Sequence, residues 1–325
     1  MGNSPDGAAF PSNLFGITPL SDVPAAHFLS ISLERPGSNK VPSTLGIGRH
    51  PSEVVTDPST IMYSTIVSDP PGDLFWKSSV KAITVYVNGM PKPITLGASA
   101  TGGPFLTATL DTGVPFILTT TAIANGIYGA LGINPANDGQ CKFLLSLAIR
   151  LISSLPCTHI DYVPCTTPLN MTITLDNRPE IALHPLDLTS EPPQDATSDN
   201  CIGLIQVDNQ QLANPTSDTG DIILGVPFLR NVYMVMAYNP PSANGSFTSN
   251  IAGGNPSQSV ETPINPRLGL LNLTNPTIAL QEFHTVRVLN KPLGNGQPRI
   301  IRMGKKRRYG SMSSTGLRVL SRYVS

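Results

Sequence analysis

FLTATLDTG, the run from Phe105 to Gly113, carries the strongest structural signal in this chain, and the apolar run VPFIL follows it at Val114–Leu118. A short, partly apolar run with high β propensity ends in an aspartate, which predicts a strand that presents Asp111 at its end. Thr112 can anchor the following turn with its hydroxyl, and Gly113 lets the backbone bend sharply. A carboxylate in this setting is suited to acid–base chemistry on water, provided that a second carboxylate shares its proton.

The composition of the chain indicates an all-β protein. Of its 325 residues, 40% are hydrophobic and only 13% are charged, and it contains 32 prolines and 28 glycines. Few charges, many turn formers and many Thr, Val and Ile residues are typical of short strands joined by tight turns. The length is sufficient for one or two domains with a sizeable core.

Apolar residues that alternate with polar ones predict the individual strands. The clearest runs are Phe28–Leu33, Ser43–Gly48, Ile61–Val67, Trp76–Val87, Met171–Asp176, Ile202–Val207 and Val232–Tyr238. Asn88-Gly89 predicts a hairpin turn after the Trp76–Val87 run. Thr119–Gly129 predicts one short helix, and residues 239–267, rich in Asn, Pro, Ser and Gly, predict a long surface loop.

The net charge of zero conceals an asymmetry along the chain. Residues 299–325 contain eight Lys or Arg and no acid, so the rest of the chain holds 13 basic and 21 acidic residues, a net charge of −8. An acidic body poor in lysine argues against a nucleic-acid partner, and it suits a protein that works at low pH. We interpret the basic run Lys305–Arg308 as part of a solvated tail.

The cysteines and the glycosylation signals favour an oxidising environment. The four cysteines form no CxxC pair and the few histidines are scattered, so no metal site is expected. Three Asn-x-Ser/Thr acceptors, at Asn170, Asn244 and Asn272, together with the even cysteine count, favour secretion.

The amino-terminal residues do not match that expectation. Met1–Asp6 has neither the basic flank nor the apolar segment of a signal peptide. No apolar run reaches membrane-spanning length, since the nearest, Phe143–Leu155, is too short and contains Arg150.

In their order, these motifs resemble the pepsin-like aspartic endopeptidases, with a fungal style of sequence. Thr107–Gly113 is similar to the second catalytic motif of that family, and IILGVPFLRNVY at Ile222–Tyr233 is similar to its later Ile-Leu-Gly element. The resemblance implies an all-β, pepsin-like acid protease fold, a peptide or protein substrate, and hydrolysis by an Asp-activated water with no cofactor. It also implies a secreted or extracellular location.

The resemblance assigns roles to individual residues. Asp111 would be a catalytic carboxylate, Thr112 would join a hydrogen-bonded grip between lobes, and Gly113 would keep the turn open. Leu224 and Gly225 would support the site by threading beneath it. Val114 departs from the family pattern, which has Ser or Thr at this position, so a hydrogen bond to the carboxylate is expected to be missing.

The resemblance also implies a disulfide between Cys165 and Cys201, at the place of a bridge in the second lobe. The segment Cys141–Ile160 looks inserted, and three explanations stay open for it. It is an extra loop closed by a Cys141–Cys157 disulfide, a helix that touches a membrane, or a translated intron.

The amino-terminal part of the resemblance predicts an incomplete enzyme. Leu14–Ile17 is similar to the first lobe's counterpart of the Ile-Leu-Gly element, and only thirteen residues precede it, where the family has its first Asp-Thr-Gly and the flap Tyr. We therefore expect a flexible start at 1–12, a remnant of the amino-terminal lobe at 13–70, a complete carboxy-terminal lobe at 71–289 and a disordered basic tail at 290–325.

Such a chain would carry only the second catalytic Asp and would be weakly active or inactive alone, with a missing amino-terminal lobe as its partner. The alternatives are a non-catalytic pseudo-protease that binds peptides or proteins, and a homodimer in which each chain supplies one Asp. A second literal match, Asp218-Thr219-Gly220, follows a loop and not an apolar strand, so we expect a surface turn there.

Overall fold

The computed structural model describes residues 24, 26–36, 38, 40–68, 75–133, 162–191, 199–214, 218–247 and 265–293. Leu14–Ile17, the segment Cys141–Ile160 with its two cysteines, and the basic run Lys305–Arg308 lie outside the described residues. The predictions made for them therefore stay predictions.

Within these ranges the chain is built mainly of strands, which confirms the predicted all-β class. The strands are β1 Phe28–Ser32, β2 Thr44–Ile47, β3 Met62–Thr65, β4 Lys77–Val87, β5 Met90–Pro93, β6 Leu106–Leu110, β7 Ile117–Thr119, β8 Tyr162–Pro164, β9 Met171–Leu175, β10 Ile181–Leu183, β11 Thr189–Ser190, β12 Asn200–Gly203, β13 Ile205–Val207, β14 Ile222–Leu224, β15 Val232–Ala237 and β16 Arg267–Asn272.

Helices are few and short in the described part of the chain. The α-helices are α1 Thr121–Ala130, α2 Asn209–Leu212, α3 Val226–Leu229 and α4 Pro276–Phe283. Two 3-10 turns lie at Pro58–Thr60 and Pro185–Asp187, and a π-helical turn at His284–Val288 follows α4. None of the described helices has the length and apolar character needed to cross a membrane.

The largest sheet has eight strands, in the order β10-β9-β4-β6-β14-β7-β13, with β5 paired to β4. The β4–β5 hairpin turns at Asn88 and Gly89, whose φ angles of 52° and 78° are both positive. Two positive φ angles are the signature of the tight hairpin turn that Asn-Gly favours. The predicted turn is therefore confirmed, and β6, which ends just before Asp111, lies in the interior of this sheet.

A second sheet has five strands, in the order β2-β1-β15-β16-β3. Its first three strands along the chain precede residue 70, and its last two follow residue 230, so the sheet is assembled from distant parts of the sequence. The domain boundary predicted near residue 70 stays a prediction.

Apolar side chains fill both faces of the five-stranded sheet. One face joins the main core, in which Val85, Leu175 and Leu224 are fully buried. The other face carries a smaller cluster around Phe28 and Tyr233. An all-β chain with 13% charged residues can therefore bury two layers of apolar side chains.

The disulfide implied by the resemblance is present. Cys165, directly after β8, is bonded to Cys201 in β12, and these strands belong to a three-stranded sheet in the order β11-β12-β8. The bridge closes a sequence separation of 36 residues. It ties the small sheet together at a position where each strand is only two to four residues long.

Reducing this disulfide should lower the free energy of unfolding by about 3–4 kcal/mol, because the cross-link restricts the unfolded chain. The measurement is urea unfolding with and without reductant. Because Cys141 and Cys157 could contribute, a Cys141→Ser/Cys157→Ser variant serves as the control and should respond to reductant as the wild type does. An unchanged unfolding midpoint in reductant would contradict the prediction.

Candidate active site

Asp111 stands at the carboxyl end of a strand that is buried along its whole length. All five residues of β6 are buried, Asp111 itself is half-buried, and Thr112 and Gly113 are exposed. Alternation of Thr with apolar residues suits a strand that has neighbours on both edges, here β4 and β14. The sheet therefore supports the aspartate from below and leaves its turn open to solvent.

Strand β14 runs parallel to β6 and brings Leu224 next to the aspartate. The register pairs Ile222 with Ala108 and Leu224 with Leu110. The ladder continues for one more residue, since the Asp111 backbone N–H donates to the Leu224 carbonyl oxygen at 3.2 Å. Leu224 is fully buried, so the backbone of Asp111 is fixed to the core and not to a surface loop.

Gly225 lets the chain pass closely beneath the Asp-Thr-Gly turn. Its N–H donates to the Phe116 carbonyl at 3.2 Å, and the next N–H, of Val226, donates to the Val114 carbonyl at 2.8 Å. A Cβ atom on Gly225 would lie 2.2 Å from both of these carbonyl oxygens. Only glycine fits this crossing, and the two predicted support residues, Leu224 and Gly225, do lie against the Asp111 turn.

The Asp111 carboxylate is oriented by its own turn. Its Oδ1 accepts a hydrogen bond from the Gly113 N–H at 2.7 Å, and a Cβ on Gly113 would lie 3.2 Å from the same oxygen. Among the described residues, no hydrogen bond joins Asp111 to a second carboxyl group. Val114, which follows the triplet, has no hydroxyl to offer. The geometry presents a single, oriented carboxylate at an open turn.

The second Asp-Thr-Gly triplet contacts a different part of β6. The Thr109 hydroxyl donates to the Thr219 carbonyl at 2.6 Å. Gly220, with a φ of +80°, packs against Thr107, where a Cβ would come within 2.3 Å of the Thr107 hydroxyl oxygen. Asp218 is exposed, and no hydrogen bond within the described ranges joins it to Asp111.

Sequence reasoning missed Asp221, a fully buried carboxylate just before β14. Its oxygens accept from the Ser99 hydroxyl at 2.7 Å, the Ala100 N–H at 2.7 Å and the Thr107 N–H at 2.9 Å. These donors satisfy the oxygens of a side chain that is only 1% exposed. Asp221 thereby fastens the start of β6, and the loop before it, to β14. The available signal was an Asp placed directly before the apolar run Ile222–Leu224.

Buried polar groups also hold α3, the helix that follows Gly225. Asn231 donates from Nδ2 to the Pro227 carbonyl at 2.8 Å and to Asp187 at 3.2 Å. Arg35 pairs with the same Asp187 carboxylate at 2.7 Å. His184 donates its backbone N–H to Asn231 at 2.8 Å, and burial lowers the pKa of its imidazole. These bonds fix the helix that follows Gly225, and with it the segment that passes beneath the Asp111 turn.

Of the three glycosylation acceptors, Asn244 and Asn272 are exposed and Asn170 is half-buried. Glycosylation at these positions stays a prediction. Among the described residues, no group of three or more His, Cys, Asp or Glu side chains is placed to hold a metal ion.

Comparisons with known proteins point to one family. A family model described as eukaryotic aspartyl protease matches residues 29–244. Among solved structures, the chain is similar to the aspartic proteinase from Irpex lacteus, with 16% identity and a TM-score of 0.47 over 83% of this chain. The match spans 62% of that protein's length. A search of the curated proteins finds no match.

Gly225→Ala should lower the free energy of unfolding by at least about 3 kcal/mol, because the new methyl group meets two backbone oxygens that cannot move independently of the Asp111 turn. Gly129→Ala is the matched control, since Gly129 lies in α1 and a Cβ there would meet nothing within 4 Å. The control should be neutral or more stable by about 0.5–1 kcal/mol. Urea unfolding measures both, and equal effects would contradict the prediction.

Proposed function

Because the chain belongs to the eukaryotic aspartyl protease family, we propose that it is an aspartic-type endopeptidase in which Asp111 is one of two catalytic carboxylates. One observation carries the proposal: Asp111 ends a buried strand and is held over the crossing at Gly225, with an exposed turn around it. A carboxylate whose backbone is fixed in this way is suited to hold a water molecule at a defined position. The proposed substrate is a peptide or protein.

The proposed chemistry needs two carboxyl groups that share one proton. The ionised group takes a proton from a water held between the two, while the protonated group donates its proton to the carbonyl oxygen of the peptide bond. The water oxygen bonds to the carbonyl carbon, which gives a neutral tetrahedral diol. When the C–N bond breaks, one carboxyl group gives its proton to the leaving nitrogen and the other takes one back from the diol.

We further propose that the partner carboxylate comes from outside the described residues, in an additional amino-terminal lobe. Within the described ranges Asp111 forms no hydrogen bond with another carboxyl group, and a lone aspartate lacks the coupled partner that retains a proton in acid. The chain alone should then be weakly active or inactive. A disulfide between Cys165 and Cys201 supports a site of action in the secretory pathway or outside the cell.

A non-catalytic role is the alternative, and Val114 favours it. A Ser or Thr at this position could donate a hydrogen bond to the outer oxygen of Asp111, whereas Val cannot. Without that bond the carboxylate is less firmly oriented. A lobe that holds Asp111 in place but has no hydroxyl donor at position 114 could bind a peptide without cleaving it.

Asp111→Asn should abolish any cleavage of a denatured protein substrate at about pH 3–5, because the amide cannot take a proton from water. Asp218→Asn changes the same residue type in the same tripeptide and should leave cleavage unchanged. The wild-type chain should itself be slow, by roughly 1000-fold or more relative to a two-lobed enzyme, since the dyad is incomplete. Peptide release followed by mass spectrometry measures all three.

Cleavage that persists in Asp111→Asn would contradict the assignment of Asp111. Fast cleavage by the wild-type chain, lost in Asp111→Asn, would support the endopeptidase and contradict the incomplete dyad. Peptide binding without cleavage, equal in the wild type and in Asp111→Asn, would favour the non-catalytic alternative.

A further inference from the structure

The turn between β9 and β10 connects the two large sheets. Asp176, its first residue, has a φ of +51°, a left-handed conformation that non-glycine residues seldom adopt. Its backbone N–H donates to the Ser79 carbonyl at 2.8 Å. Its Oδ1 accepts from the Ser79 N–H at 3.0 Å and from the Ser79 hydroxyl at 2.8 Å. Asp176 is thereby fastened to β4 of the eight-stranded sheet.

The other carboxylate oxygen of Asp176 reaches the five-stranded sheet. Oδ2 accepts from the hydroxyl of Ser64, in β3, at 2.7 Å, and from the hydroxyl of Ser78, in β4, at 2.5 Å. Nη1 of Arg178, two residues farther along the turn, donates to the same oxygen. One carboxylate therefore links a strand of each sheet.

Arg178 extends the link along the edge of the five-stranded sheet. It is only 6% exposed. Its Nε donates to the Met62 carbonyl at 3.1 Å, and its Nη2 donates to the Leu268 carbonyl at 2.5 Å. Met62 belongs to β3, the edge strand, and Leu268 belongs to the adjacent β16. Asp176 and Arg178 thus form hydrogen bonds with three groups of the five-stranded sheet, namely the Ser64 hydroxyl and the carbonyl oxygens of Met62 and Leu268.

The two charges of this cluster depend on each other. Burial by itself would raise the pKa of Asp176, but the hydrogen bonds from Ser78, Ser64 and Ser79 and the charge of Arg178 bring it below its usual value. Burial lowers the pKa of Arg178, and the charge of Asp176 opposes that effect. Within the described residues, Asp176 and Arg178 are the charged groups that face one another here. A guanidinium remains protonated throughout the acidic range.

We propose that Asp176 and Arg178 form an acid-sensitive latch, closed while Asp176 is ionised and opened when it is protonated. Protonation leaves Arg178 charged and buried without its counter-charge, which is strongly unfavourable. β3 and β16 should then separate from the turn. The pairing of β6 with β14 should persist, because backbone groups that do not titrate form that ladder.

The direction of the pH effect follows from linkage. A carboxyl group whose pKa is lower in the folded state stabilises the fold fully above its unfolded pKa, about 4, and loses this contribution as the pH falls through its folded pKa. The latch should therefore stay closed from neutral pH into moderate acid and open only below about pH 4. This holds whether or not Asp111 is catalytic.

Hydrogen exchange read by mass spectrometry tests the latch, with protection factors referenced to the intrinsic rate at each pH. In the wild type, protection of β3 and β16 should fall about tenfold or more between about pH 6 and about pH 2.5, while β6 and β14 stay protected. Asp176→Asn keeps the size of the side chain and tolerates the positive φ, so it removes mainly the charge. It should show the low-protection state of β3 and β16 already at neutral pH.

Asp57→Asn is the control, because Asp57 is an exposed carboxylate whose pKa is lowered by hydrogen bonds from Ser59 but which caps only a local 3-10 turn. It should leave the protection of β3 and β16 unchanged at both pH values.

Ser64→Ala keeps the proposal testable if Asp176→Asn does not fold. Removing one donor to the ionised carboxylate should shift the opening of β3 upward by about half a pH unit. The latch would be overturned if β3 and β16 kept their protection in acid, or if all strands lost protection together. It would also be overturned if the Ser64→Ala midpoint did not move.

Discussion

The passage of the chain beneath its own Asp-Thr-Gly turn is the constraint on which the rest of the structure depends. β14 lies between β6 and β7, parallel to the first and antiparallel to the second. At its end, Gly225 is so close to two carbonyl oxygens that no side chain fits. Backbone hydrogen bonds on both edges of one short strand therefore set the position of Asp111, and flexible side chains have little part in it.

Buried and half-buried aspartates join separate elements of the fold, in a chain where only 13% of residues are charged. Asp221 accepts hydrogen bonds from hydroxyl and N–H donors of β6 and of the loop that precedes it. Asp187 pairs with Arg35 behind α3. Asp176 pairs with Arg178 between the two sheets. A buried charge is tolerated only when donors or a counter-charge replace water, so each of these aspartates specifies one arrangement of the elements that it joins.

These joints also influence how the protein responds to acid. A family member that works at low pH must keep its fold while ordinary carboxylates become protonated. Hydrogen bonds that favour the ionised form of Asp176 extend the range in which the two sheets stay joined. Burial lowers the pKa of the His184 imidazole, so at this residue too the fold loses stability as the medium becomes acidic.

Much of the fold follows from local patterns in the sequence. β4 and β9 could be predicted because alternation with period two marks a strand with distinct faces, and Asn88-Gly89 marked the hairpin. The run Ile202–Val207, predicted as one strand, is divided between β12 and β13, since its two halves pair in different sheets. β16 and α4 have no counterpart among the predicted elements. β16 is recognisable only through its partners β15 and β3, which precede it by at least thirty residues.

The sequence was sufficient to predict that Asp111 is a carboxylate at the end of a strand. Its resemblance to a known family implied that Leu224 and Gly225 lie beneath that carboxylate and that Cys165 is bonded to Cys201. Each of these rests on a short motif whose meaning is local or carried by resemblance. Folding in three dimensions decided that Asp221 is buried, that the Asp218 triplet contacts the middle of β6, and that Asp176 joins two sheets. The reason is physical, because a carboxylate's role depends on which donors surround it, and those donors come from strands far away along the chain.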